Sequence, residues 1–473
     1  MSDTPILVWF RRDLRLADNP ALHAAAETGR PIIPVFIWAP KEEDPWAPGA
    51  ASRWWLHHSL TAFVQSLEKK GSRLVVLEEG SEAGLRRLMK ETGATAIYWN
   101  RLYEPAIVAR DKEIKSALKQ ENIEAISFNH SLLFEPHQVA NKSGKPFQVF
   151  TPFWRHCLSL DEPASPLATP RKWASPKEWP DSVPLDDLKL LPRINWDAGF
   201  YDTWTPGEKG AHTAVEQFLD EAVIDYKAKR DFPATVGTSR LSPHLHFGEI
   251  GPRQLWYIVQ EAIAGSDRKG MVQGGEFYLR EVGWREFAHH LLYHFPHTAE
   301  APLRPEFGDF PWRENAEELL AWQRGLTGYP IVDAGMRELW HTGWLHNRVR
   351  MIVASFLVKD LLISWQEGAA WFWDTLVDAD LANNALGWQW AGGCGADAAP
   401  YFRIFNPTLQ GEKFDGDGEY VRHWVPELSG VDASIIHKPW TADKSVGDGY
   451  PQPMVDHKKA RDRALAALAE IKK

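Results

Sequence analysis

The hydrophobic period of this chain changes once, near residue 206, and that change limits the fold more than any other feature. Over the first 130 residues, short apolar runs at 6–10, 32–38, 73–79, 95–100 and 124–129 alternate with amphipathic stretches at 52–70, 82–92 and 105–121. Strand-length runs separated by helix-length ones predict βαβ units on a parallel five-stranded sheet of Rossmann-like type. Asp18, before Asn19-Pro20, is expected to open the first helix. After Pro206 the spacing becomes that of helices, at 243–264, 276–293, 331–340 and 344–363, and little looks like strand. Between the two regimes lies a Pro-rich and Ser-rich segment, including DEPASPLATPRKWASPKEWPDSVP, that reads as a linker packed over the surface. The expected organisation is an α/β domain over residues 1–130, a linker over 131–203 and an all-α domain over 204–473.

A chain of 473 residues is long enough for two or three units, each with its own core. No apolar run approaches the roughly 18 residues that cross a bilayer, and the amino terminus lacks the basic and apolar segments of a secretory leader. A cytoplasmic location is expected. Cys157 and Cys394 form neither a disulfide framework nor a CxxC pair, so no structural metal is indicated. The net charge of −10 argues against broad attachment to nucleic acid, although cations concentrate at Arg348, Arg350 and Lys359 and again at Lys227, Lys229, Arg230, Arg240 and Arg253. As isolated features these read as solvated helix faces. The 24 tryptophans, against 11 tyrosines, favour aromatic recognition or electron transfer. No GxGxxG follows the first strand, where RRDLRLADNP stands, so a conventional dinucleotide site there is not expected.

Residues 378–407, DADLANNALGWQWAGGCGADAAPYFRIFNP, gather acids, amides and two indoles. Asp378, Asp380 and Asn384 can hydrogen-bond a ligand, Trp388 and Trp390 add apolar planes, and Gly392, Gly393 and Gly395 permit close backbone approach. Arg403 and Asn406 can tie down the returning loop. In a helix over 276–290, Tyr278, Glu281 and Arg285 share a face with Trp284 beside them. A carboxyl next to an indole in a dry pocket tends to a raised pKa, whereas a Glu281–Arg285 surface ion pair is the plainer use of that spacing. Asn347 and Met351 share a face of the 344–363 helix, with Arg348 flanking it. Thr238, Ser239, Arg240, Leu241 and Ser242 precede Pro243 and place hydroxyls and N–H groups at a helix start, a natural phosphate site, with capping an equal explanation for Ser242.

Together, GTSRLSPHLHFGEI, EVGWREF, TGYPIVDAGMRELWHTGWLHNRVRMIVASFLVKDLLI and the opening segment resemble the DNA photolyase and cryptochrome family over nearly the whole chain. Asn347-Arg348 with Met351 and Glu281 resemble the cyclobutane pyrimidine dimer photolyases, class I-like, whereas relatives acting on (6-4) products would carry histidines there. The resemblance implies a folded FAD, active as FADH⁻, in the helical domain. It assigns Tyr226, Thr238, Ser239, Arg240, Leu241, Ser242, Tyr278, Arg285, Asp378, Asp380 and Asn384 to the cofactor, with Tyr278 standing where tryptophan is usual. Asn384 would face flavin N5, and Arg350 would pair with Asp378. Glu281, Trp284, Asn347, Met351 and Trp390 would hold a flipped dimer, and Arg230, Arg348 and Gln410 would contact the strand. Trp388, Trp365 and Trp312 resemble the family's electron chain from surface to flavin.

The same resemblance implies a second antenna chromophore, methenyltetrahydrofolate or an 8-hydroxy-deazaflavin, but Ile107 in YEPAIVARD stands where folate-binding relatives present glutamate. The implied partner is ultraviolet-damaged DNA containing pyrimidine dimers, with no membrane, and a monomer working on the nucleoid is expected. The rival reading is a cryptochrome photoreceptor acting through protein partners. The chain closes soon after the cationic stretch at 450–470, without the long disordered extension of many signalling forms, which favours repair. An ordinary flavin oxidoreductase would need a nicotinamide site.

Overall fold

The computed structural model describes residues 4–397, 402–442, 447 and 449–471. Five parallel strands, β1 (Ile6–Phe10), β2 (Ile32–Ile37), β3 (Val75–Leu77), β4 (Ala96–Asn100) and β5 (Glu124–Phe128), lie in the order β3-β2-β1-β4-β5. Ile6 stands opposite Ile32 on one side and Ala96 on the other, so β1 is central. Alternation divides the strands between two cores: Ile6, Val8 and Phe10 enter one, Leu7 and Trp9 the other.

The topological switch between β1 and β4, where open α/β sheets usually bind ligands, is filled by the chain's own polar side chains. Arg11 donates to Asn100 O and to Asp111 Oδ2 (2.6 Å), and Asn100 Nδ2 donates to Asp13 Oδ2 (2.6 Å). That network gives physical form to the missing glycine-rich loop.

Several sequence expectations need correction. Asn19, not Asp18, caps the Pro20–Glu27 helix by accepting from Leu22 N, whereas Asp18 is buried at φ 49° against Arg253 (2.6 Å). The linker also does more than cover the surface. Its Phe150–Cys157 helix places Phe150 and Phe153 in the helical core, and Ala174 O and Val183 N pair with Ile32 N and Val76 O along the sheet margin. The helix expected over 243–264 is two, Ser242–His246 and Pro252–Ala264. Gly248 breaks it: its φ is 64°, and a Cβ there would stand 2.2 Å from Arg12 O, so backbone from the two parts of the chain meets at that point.

The remaining helices match the expected period. Met271–His294 runs unbroken, and Asn347–Ser355 passes into a π-helical turn, Phe356–Asp360. Among the described residues no strand follows β5, and no helix is long and apolar enough to cross a membrane.

Candidate active site

A cavity of about 720 Å³ opens within the helical region, inside the range of roughly 300–1,000 Å³ usual for small-molecule sites. Of the residues singled out from the sequence, Tyr226, Arg230, Thr238, Ser239, Arg240, Leu241, Ser242, Tyr278, Glu281, Trp284, Arg285, Asn347, Arg348, Arg350, Met351, Asp378, Asp380, Asn384, Trp388 and Trp390 all line it. Trp365, Trp312 and Gln410 do not.

One wall is the Met271–His294 helix, where the expected face forms but with different partners. Glu281 pairs with Arg230, not Arg285, so it faces a guanidinium across the cavity wall. Arg285 instead donates to Ser131 O (2.6 Å) at the start of the linker. Tyr278 donates to Ser239 Oγ (3.0 Å) and thereby ties the 238–242 loop to the helix, while burial pushes its phenol upward. Trp284 stacks on Phe150 at 3.8 Å, leaving the linker helix to set its plane. Ser242 is not a cap: Leu241 holds that position and makes no side-chain capping bond.

The opposite wall comes from Asn347–Ser355 and the turn before Leu381–Gly392. His346 accepts from Arg348 N (3.2 Å) and so starts the first of these helices in register. Arg350 forms the expected pair with Asp378, reaching both carboxylate oxygens at 3.0 and 2.8 Å, and its Nε donates to Leu345 O (2.7 Å). Asp380 accepts from Asn383 N (2.8 Å) as a helix cap and lies 3.4 Å from His289 and 3.6 Å from His246. Burial alone would raise its pKa, but His289 and His246 outweigh that and hold the carboxyl well below its ordinary value. Asn384 donates to Ala369 O (3.0 Å), which fixes its amide at the cavity margin.

Two of the three tryptophans of the expected electron chain are fully buried and the third is not. Trp388 lines the cavity yet is 2% exposed, Trp365 is equally buried in the core, and Trp312 is partly buried with its ring 4.4 Å from Phe310. A Cβ on Gly368 would stand 2.1 Å from the Trp388 ring, so the glycine is what admits that indole. Among the described residues, Trp388 Nε1 has no hydrogen-bond partner. The glycines after it serve the helix end: Gly393, at φ 81°, is its cap, and Gly395 packs on Gln389. Asn406 caps Pro407–Phe414, which carries a half-buried Gln410 away from the cavity, and Ala398–Tyr401 of the same motif lie outside the described residues.

The two cationic concentrations are solvated faces only in part: Lys227, Lys229 and Arg240 are exposed, while the other cations are half-buried or buried. Arg348 pairs with Asp231 (2.9 Å) and lies 4.3 Å over Phe414, Lys229 pairs with Asp225, Arg253 with Asp18, and Arg240 lies 4.8 Å over Trp344. Lys359 is 1% exposed. Sequence reasoning missed His246, His289 and Asp231. The first stands in the HLHFGEI motif and the second follows Arg285 at helical spacing, so both were within reach of a search for partners to Asp380.

A second, smaller cavity of about 60 Å³ lies between the sheet and the helices, lined by Trp9, Trp38, Trp373, Arg11, Arg110 and Ile107 among others. His246 and Ala379 line both cavities and form the partition between them.

A five-stranded parallel sheet feeding a helical domain with a deep, acid- and indole-lined cavity defines a two-part architecture with one large ligand site in the helical part. Residues 278–470 match the model for the FAD binding domain of DNA photolyase, and residues 6–171 match that for DNA photolyase. The chain is 51% identical to the deoxyribodipyrimidine photo-lyase of Agrobacterium fabrum, over 100% of this chain and 99% of that one. It is 41% identical to Cryptochrome-1 of Arabidopsis thaliana, over 98% of this chain and 70% of that one. The crystal structure of a bacterial class III photolyase from Agrobacterium tumefaciens superposes with a TM-score of 0.95 at 51% identity, covering 100% of this chain and 98% of the other. The chain belongs to the DNA photolyase and cryptochrome family. Its motifs suggested a class I-like member, and this solved relative is of class III.

Proposed function

We propose that this chain is a light-driven carbon–carbon lyase that repairs cyclobutane pyrimidine dimers in DNA, with FAD held in the large cavity. The observation that carries the reading is one cavity uniting two kinds of wall. Asp378, Asp380, Asn384 and the 238–242 hydroxyls suit the ribose, ring and phosphates of a dinucleotide, while Glu281, Trp284, Asn347, Met351 and Trp390 suit a pair of bases. The unpartnered, buried Trp388 Nε1 fits a site completed by a bound ring. When bound, the reduced flavin supplies an excited-state electron to the dimer and receives it back.

The protein's residues do the rest. Arg350, locked to Asp378, holds both charges in place beside the flavin position before the cofactor binds. Tyr226, Tyr278, Arg285 and the 238–242 loop hold the cofactor in place. A dimer must leave the duplex to reach the cavity, which costs less at a damaged, poorly stacked step. Trp284 and Trp390 then stack on it, Glu281 and Asn347 hydrogen-bond it, and Met351 fills between. Arg230, Arg348 and Gln410 position the strand without reading sequence. Trp388, Trp365 and Trp312 relay electrons inward when the flavin needs reducing. On this reading the chain acts as a monomer on cytoplasmic DNA.

A light-harvesting chromophore beside the indoles of the small cavity suits their chemistry but not the enclosed 60 Å³, less than the roughly 300 Å³ of a small ligand site. No step is assigned to it.

The test is irradiation of a dimer-containing oligonucleotide with the reduced protein. Dimers should disappear in blue or near-ultraviolet light and persist in darkness. Loss in darkness would overturn the reading, and no loss in light would favour the photoreceptor alternative that the 41% identity to an Arabidopsis cryptochrome keeps in view.

A further inference from the structure

Among the described residues, Lys359 is a strongly buried cation near the cavity that the function above leaves unused. It belongs to a stripe that begins at the cavity wall: Asn347, Met351, Ser355 and Lys359 are each four residues apart, running along Asn347–Ser355 and into the π-helical turn Phe356–Asp360. A void of about 10 Å³, room for one water, lies behind the wall and is lined by Met351, Ser355, Lys359, Trp390, Gly393 and Arg403 among others. Met351 and Trp390 therefore have the large cavity on one side and the lysine's void on the other.

The amine is held firmly. Its Nζ sits 3.3 Å from the centre of the Phe402 ring, and a Cβ on Gly393 would lie 3.8 Å from it. Gly393 caps the Leu381–Gly392 helix, so the amine stands at the carbonyl end of the helix that carries Asn384, Trp388 and Trp390. A cation there is favoured by the helix dipole. Such a contact alone could serve stability, but an exposed lysine or arginine would serve it at far lower desolvation cost.

We propose that Lys359 is a positioning residue for dimer repair: its amine, fixed behind Trp390 and Met351, holds positive charge beside the lesion so that the lesion accepts an electron more readily. The proposal rests on the repair reading above. In that reaction one electron passes from the reduced flavin to the dimer, the two cyclobutane C–C bonds joining the pyrimidines break, and the electron returns to the flavin. For the interval between, the lesion carries one added negative charge, on which a cation close by within the protein acts more strongly than it would in bulk water.

The charge depends on pH. Burial depresses the lysine to about 7, against the opposing pull of the Asp360 carboxylate. The neighbours are otherwise settled. Burial pushes the Cys394 thiol up to about 12, so it stays neutral, and Asp360 is bound to His457 Nδ1 (2.6 Å) while its backbone carbonyl takes Arg463. Arg403 faces the same void. The ammonium is therefore full below neutrality and lost as pH rises through about 7.

The experiment follows repair yield per absorbed photon, with chemically reduced, lesion-saturated protein, from about pH 6 to about pH 9 for wild type, Lys359→Met and Lys359→Arg. Wild type should lose roughly threefold to tenfold in yield across that range, the effect of one nearby charge. Lys359→Met should be flat at the low value with dimer affinity within about twofold of wild type, and Lys359→Arg, charged throughout, should be flat at the high value. With lysine Cε labelled by carbon-13, one NMR signal should titrate near pH 7 and be missing from Lys359→Met. If either variant does not fold, the wild-type profile and that signal decide. A flat wild-type yield, a Lys359→Met profile that still falls with pH, or no lysine titrating below about pH 9 overturns the proposal. Absence of repair by wild type at every pH would instead overturn the repair reading, and this inference with it.

Discussion

The two cavities of this molecule share a partition at His246 and Ala379 and differ in almost everything else. The large one is walled by charges that are already matched across elements: Arg350 to Asp378, Arg230 to Glu281, Arg348 to Asp231, and Asp380 to His246 and His289. The small one is walled mainly by rings and arginines at the mouth of a sheet whose switch point is filled by Arg11, Asn100 and Asp13. The first is preorganised for a ligand of dinucleotide size, because its side chains are held before anything binds. In the second the same kinds of residue serve mostly to join the sheet to the helices. If this contrast is right, damage to the large cavity should cost flavin and chemistry, and damage to the small one should cost neither.

The largest effect is expected from Asp378→Asn. It leaves the part-buried Arg350 guanidinium without its carboxylate, and losing such a charged hydrogen-bonded pair costs about 1.5–3 kcal/mol, roughly ten- to a hundredfold in flavin retention. The flavin-to-protein absorbance ratio after gel filtration measures it, and full retention would show that the pair is not part of the flavin wall.

Trp388→Phe should come next. It keeps a ring in the space that Gly368 provides but removes the indole, slowing photoreduction of oxidised flavin about tenfold, or roughly 1.4 kcal/mol of barrier. Repair by chemically reduced protein should be nearly untouched. Equal loss of both would make Trp388 a packing residue. Glu281→Ala should be smaller, lowering repair yield about fivefold through loss of one charged hydrogen bond to the lesion. Dimer affinity should not fall with it, since Arg230 is released toward the strand. An unchanged yield would confine Glu281 to its ion pair.

Legibility in the sequence follows the same division. Strands and helices were readable because their pattern is local: β1 is a continuous apolar run, as a strand buried on both faces requires, and Tyr278, Glu281 and Arg285 meet on one helix face. The partners were not, because they are set by which distant segments touch. Nothing in EVGWREF says that Glu281 meets Arg230 instead of Arg285, or that Arg285 reaches Ser131. The helix over 243–264 failed at Gly248, where contact with Arg12 outweighs the local period. Lys359 was misjudged as a surface cation although FLVKDLLI, two charges within an apolar run, already signalled burial. The small cavity left no motif, because its residues come singly from several loops and both parts of the chain.

The smallest expected effect is the sharpest test of the contrast. Trp38 lines the small cavity, is partly buried against the core on one face of the sheet, and has no place in the large cavity. Trp38→Ala should lower stability to denaturant by about 1–3 kcal/mol, less than a fully buried tryptophan would cost because part of its ring already meets solvent. Flavin content and repair by the chemically reduced protein should stay within about twofold of wild type, since 1.4 kcal/mol would be needed for tenfold and nothing beyond the partition is altered. A large loss of flavin would mean that the partition transmits strain. His246 would be the route, because it faces both cavities and holds Asp380 at 3.6 Å. In that case His246→Ala should reproduce the loss, and the two cavities would have to be treated as one mechanical unit.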